Sequence, residues 1–150
     1  MPRRGDRLKE GDLWRRDCAE IISLIGDDLP LGTTIAAGTY TPTLTIVANA
    51  DAVTAFSCIY TRIGTIVNVM GVLNVDPTTG ATITQVGISL PVSSNFASTA
   101  DLSGVAAALA VAGESGGFFA DTTNDRANLH FVCASTANHA IEFNFSYRII

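Results

Sequence analysis

Apolar and polar positions change their rhythm twice along this chain. Between Leu13 and Leu29 the side chains of Trp14, Cys18, Ile21 and Ile25 recur at steps of four, three and four, which puts them on one stripe of a helix. Asp12 suits the N-cap, and Gly26 with Pro30 marks the stop. The stripe lasts barely two heptads. It is read either as a short trimeric coiled-coil seam or as one amphipathic helix packed on its own body or on a partner. From Leu29 to Tyr40 the composition is that of a linker, with Gly, Pro and small polar residues.

Beyond it the pattern becomes β-type. Runs of β-branched residues predict strands over Thr43–Ala48, Val53–Arg62, Thr65–Val75, Thr82–Leu90, Val105–Ala112, Phe118–Ala120, Asn128–Cys133 and Ala140–Ile149. The segments between them carry turn chemistry, among them Asp76-Pro77-Thr78-Thr79-Gly80 and Gly113-Glu114-Ser115-Gly116-Gly117. The Ala-rich run Ala106–Ala112 reads equally well as helix. About eight short strands round one small core predict an all-β fold, an antiparallel sandwich or jelly-roll knob with a short N-terminal helical arm. The expected division is an arm over 1–28, a linker over 29–37 and a β knob over 38–150.

Two strands report their orientation. In the last, Ile141, Phe143, Phe145, Tyr147 and Ile149 alternate with Glu142, Asn144, Ser146 and Arg148, so one face lies in the core. Around Ile63–Val75 both faces are apolar: Ile63, Val67, Val69, Leu73 and Val75 on one, Ile66, Met70 and Val72 on the other. A strand apolar on both faces needs cover on both. For a two-layer fold the second cover is most simply another subunit, so Ile66, Met70 and Val72 are the expected trimer interface.

Charge sharpens this picture. Residues Met1–Asp28 hold 13 of the 23 charged side chains, six basic and seven acidic. The remaining 122 residues hold only ten, and a body so poor in charge is expected to bury surface against copies of itself or a larger assembly. No basic stripe suited to phosphate backbones is present, which argues against nucleic acid as a partner. No run approaches the ~20 apolar residues of a membrane helix, so membrane insertion is not expected. Three widely spaced cysteines, Cys18, Cys58 and Cys133, form no metal or redox pair and fit buried free thiols in a reducing cytoplasm.

Candidate chemistry is sparse. His130 and His139 lack the further ligands of a metal site. No nucleophile elbow surrounds any serine, and the Gly-rich stretch at Gly113 lacks the Lys-Ser/Thr end of a phosphate loop. Most of the body carboxylates fall in predicted turns, and nothing supports an acid pair among them. Arg4-Gly5-Asp6 matches an integrin-read tripeptide by chance in a charged leader. Phe118 and Phe119 must split across two faces, so one of them, with Asp121, is expected on a surface recognition loop. The expectation is therefore a non-enzyme that needs no cofactor.

Gly38-Thr39-Tyr40-Thr41-Pro42-Thr43, Tyr60-Thr61-Arg62-Ile63-Gly64, Gly87-Ile88-Ser89-Leu90-Pro91 and Phe143-Asn144-Phe145-Ser146-Tyr147 together resemble the C-terminal β domains of tailed-bacteriophage virion appendage proteins: tail fibre, head fibre or capsid decoration. The resemblance covers about Gly38 to Ile150. It implies a homotrimeric β-sandwich knob that is part of the virion, made in the host cytoplasm and attached to capsid, portal or tail proteins through the N-terminal arm. With about 37 residues ahead of the knob, a short appendage is expected rather than a long fibre. A host-receptor or glycan-binding tail-fibre knob is the alternative the same resemblance implies.

Overall fold

The structure, a computed structural model, describes residues 34–150. The arm expected at Trp14, Cys18, Ile21 and Ile25 lies outside the described residues. Those described form ten antiparallel strands: β1 Ile35–Tyr40, β2 Leu44–Ala48, β3 Ala50–Ala55, β4 Cys58–Ile63, β5 Ile66–Pro77, β6 Ile83–Ile88, β7 Leu102–Ala108, β8 Ser115–Asp121, β9 Arg126–Val132 and β10 His139–Arg148. Their order in one curled sheet is β1-β4-β5-β10-β7-β8-β9-β6-β2, with β3 also paired to β5. The curl returns on itself through the chain. β2 pairs with β6, bends at Asn49 and continues into β3, which pairs with β5.

β5 is the spine. Its twelve residues carry β10 along one side. Along the other side Ile66–Met70 pair with β4 and Leu73–Pro77 with β3. β3 and β4 are thus one antiparallel run, broken at Phe56-Ser57 opposite Gly71 and Val72. This divides the strand expected over Val53–Arg62. At the break Gly71 faces Cys58 and Phe143 so closely that a Cβ there would meet the Cys58 sulfur. Gly64, at φ 61°, turns β4 into β5, a conformation that Gly adopts without a Cβ clash.

The core face is legible as an alternation. Val67, Val69, Leu73 and Val75 of β5 are buried with Ile141, Phe143, Phe145 and Tyr147 of β10, and with Leu129 and Phe131 of β9. Phe143 and Phe145 stack with their rings 5.8 Å apart. Tyr147 stays satisfied at the end of that row, its hydroxyl donating to Val92 O at 2.6 Å. Three boundaries depart from the sequence reading. Ile35–Tyr40, given linker composition, is an edge strand in register with β4. The Ala-rich run is strand only as far as Ala108. Ser115-Gly116-Gly117, read as turn, opens β8, and Gly is required at 116 because a Cβ there would lie 2.5 Å from His130 O.

The long connection from β6 to β7 is pinned by one carboxylate. Asp125, at φ 49° in the β8–β9 turn, accepts from Ser94 N and Phe96 N, each at 3.1 Å. Burial pushes its carboxyl up, but hydrogen bonds from the backbone of Asn95, Phe96 and Ser94 outweigh that and hold it below the usual carboxylate range. Asp125→Ala is expected to cost about 1–2 kcal/mol, toward the lower end for bonds to a charged acceptor because the site is partly solvated. With the folded value below the unfolded one, the contribution is complete above about pH 4 and is lost as pH falls through the folded value. Thermal melts of both proteins should therefore differ at pH 7 and converge in acid.

Candidate functional site

The sheet's outer face is built by the other half of the alternation. Residues directly opposite one another in a ladder share a face, so the register assigns two apolar rows. One runs Ile35, Ile63, Ile66 across β1, β4 and β5. The other runs Thr39, Ile59, Met70, Asn144, Val105 across β1, β4, β5, β10 and β7. Ile35, Ile59, Ile63, Ile66, Met70 and Val105 are between 44% and 69% exposed. A shallow groove of ≈ 420 Å³ runs over this face between Met70, Val105 and Asn144. Two of the three residues expected at an interface, Ile66 and Met70, are thus exposed on this surface. Val72 is half-buried at its margin, directly opposite Glu142. Ile63, expected on the core face, points outward, because the turn at Gly64 reverses the parity between β4 and β5.

The expected recognition loop is not a loop. Phe118, Phe119 and Asp121 all lie in β8. Phe118 is buried against Phe143 and Phe145, at ring distances of 5.6 and 5.1 Å, so its assignment to a surface is corrected. Phe119 does reach the opposite face, half-buried, with its ring 4.2 Å from that of His130. Burial pushes the His130 imidazole below its usual value, which favours the neutral ring. Asp121 pairs with Arg126 at 2.8 Å and accepts from Asn124. Its carboxyl, which burial alone would raise, is held low by those partners, and this is the geometry of a turn anchor.

The structure also assembles a cluster that no sequence spacing announces. Glu114 precedes β8, His139 opens β10, and Ser135 lies in the loop between β9 and β10. The Glu114 and His139 side chains are 2% and 1% exposed, with Oε2 and Nδ1 2.8 Å apart. The two atoms sit outside hydrogen-bond alignment, and neither has another partner. Glu114 Oε1 accepts from Ala134 N at 3.2 Å. On the far side of the ring, His139 Nε2 lies 3.3 Å from Ser135 Oγ and 3.1 Å from Ser135 O. Ser135 itself is exposed. A separate groove of ≈ 550 Å³ is lined by Asp51, Asp76, Pro77, Thr78 and Thr136. The three residues are 21 and 4 positions apart, and each reads in isolation as turn chemistry, so only the β7–β8 and β9–β10 connections bring them together. Among the described residues no group of three or more His, Cys, Asp or Glu side chains is placed to hold a metal ion. The comparisons with known proteins return no matching family model, no matching curated protein and no matching solved structure.

Proposed function

We propose that this chain is a structural protein of a bacteriophage particle. In this reading it is a homotrimer, a short fibre or decoration whose arm over 1–28 binds other virion proteins and whose β-sandwich or jelly-roll knob faces outward. The observation that carries the proposal is the outer face of β1, β4, β5, β10 and β7. Six large aliphatic side chains stand there partly exposed, on a body whose 122 residues hold ten charges. Burying a side chain of this kind contributes about 1.5–3 kcal/mol, so a partner covering the face gains several kcal/mol over leaving it wet. Copies of the same chain supply such a cover in a closed ring. Three arms held in one assembly then bind the particle by avidity, with no single strong contact needed.

Two measurements test this. Light scattering on the purified full chain at micromolar concentration should return the mass of three chains, and a monomer would overturn the trimer. Particles assembled without this chain should lack a surface density present on the wild type. Unchanged particles, with no copies of the chain in purified wild-type virions by mass spectrometry, would overturn the virion assignment.

A further inference from the structure

The outer face is banded. Next to the row Ile35, Ile63, Ile66 lies a row of small and polar side chains, Ala37, Thr61, Asn68, Ser146 and Ser103, in which Ser146 Oγ donates to Asn68 Oδ1 at 2.6 Å. The apolar row through Met70 follows. On the two sides of Met70 this third row has opposite relief. Toward β4 a groove of ≈ 340 Å³ opens between Phe56, Ile59, Met70 and Val72. Toward β7 stands Val105, 69% exposed, the most exposed large apolar side chain among the described residues. We propose that the groove of each copy receives Val105 of its neighbour, so that three knobs in three grooves close a ring around Met70. This contact rests on the trimer reading above and fixes which surfaces meet within it.

Symmetry and banding lead to the same contact. A ring of three identical chains is built from a heterologous contact, in which each copy offers two different patches. One patch projects where the other recedes, and Val105 and the groove are such a pair. Rotation about an axis carries no rise along it. With the strands lying along the three-fold axis, each row therefore meets the same row of the neighbour, apolar on apolar and polar on polar. With the strands lying across the axis, aliphatic side chains would cover Thr61, Asn68 and Ser146 and strip them of water, which is costly for a hydroxyl or amide that gains no new partner. The same-row condition also excludes the other prominent knob, Ile35 at 64% exposed, because it lies two rows away from the groove. Glu142 also lines the groove and is exposed in the single chain. An uncharged knob as short as valine seats beside that carboxylate without repulsion.

The test is disulfide mapping on the full chain carrying Cys18→Ser, which leaves only the buried thiols Cys58 and Cys133. Within one copy Ile59 and Val105 stand on strands three spacings apart, about 14 Å. That is beyond the reach of a disulfide, so any bond between the two positions joins two chains. Mild oxidation of Ile59→Cys/Val105→Cys should give two-chain and three-chain species on non-reducing gels, while neither single variant cross-links alone. Mixing the two single variants should give a two-chain product with one of each by intact mass. Val105→Asp, a change at an exposed side chain, should melt as the parent monomer does and lose the three-chain mass. A double variant of trimeric mass by light scattering that forms no such bond, or a Val105→Asp protein that stays trimeric, overturns this contact and leaves the trimer standing. Cross-linking of Ile59→Cys/Ile63→Cys to two chains and no further overturns it in favour of a two-fold pair. A parent chain that is monomeric at micromolar concentration overturns the trimer reading and this contact together.

Discussion

Met70→Asp should convert the proposed trimer to soluble monomers while leaving the β body folded. Met70 occupies the middle of the longer apolar row, between Ile59 on β4 and Asn144 on β10. Its side chain is 47% exposed in the single chain, so a carboxylate there stays hydrated in the monomer and should alter monomer stability by no more than about 0.5 kcal/mol. In the proposed trimer the same carboxylate would be stripped of water and sit near its two symmetry mates. Desolvation and repulsion together should cost several kcal/mol per trimer. Val72→Asp tests the same face less cleanly. Val72 is half-buried and directly opposite Glu142, so the new charge also meets a like charge within its own sheet. Asn74→Asp, on the same face toward the turn end of β5, should leave most of the trimer intact. Sedimentation or light scattering separates the cases. A Met70→Asp protein that remains trimeric with unchanged melting would place the interface elsewhere.

How much of this was legible depends on whether a residue's role is local. β10 announced itself because Ile141, Phe143, Phe145 and Tyr147 alternate with the polar Glu142, Asn144, Ser146 and Arg148, and a period of two fits a half-buried strand and little else. β5 was legible as a β-branched run closed by turn residues, and its doubled apolar pattern pointed to a second face that needs cover. The breadth of that face was not legible. Ile35, Ile59, Ile63 and Val105 join Ile66 and Met70 only through register across five strands, and register is a tertiary property. β1 was hidden because Ala36, Ala37 and Gly38 carry little β preference and its pairing with β4 supplies the order. Ser115-Gly116-Gly117 was misread for the opposite reason. Glycine marks turns in most sequences, but Gly116 is needed where a strand passes against the His130 carbonyl and the Phe131 side chain. The cluster at Ser135 was the least legible part. Glu114 and His139 are 25 positions apart, each next to turn-forming residues, and no short motif links them.

Glu114→Ala should be among the most destabilising single changes in the β body. The buried carboxylate faces His139 Nδ1 at 2.8 Å and accepts from Ala134 N at 3.2 Å, while the Glu114 backbone carbonyl separately accepts from Ala108 N at 3.0 Å. Removing the side chain takes the acceptor from the Ala134 amide and the facing carboxylate from the buried His139 Nδ1, and breaking a buried pair on one side costs about 3–5 kcal/mol. The backbone bond from Ala108 survives, so the loss reads on the side chain alone. His139→Leu removes the other partner and should cost a similar amount, because the carboxylate is then buried with only Ala134 N for company. Changing both, Glu114→Leu with His139→Leu, should recover much of the loss, since two apolar groups leave no unpaired charge. Urea melts of the four proteins complete a double-mutant cycle, and coupling of about 0.5–3 kcal/mol is expected for side chains in direct contact. Additive losses, with no coupling, would show that the 2.8 Å approach contributes nothing and that each residue acts only through its own loop.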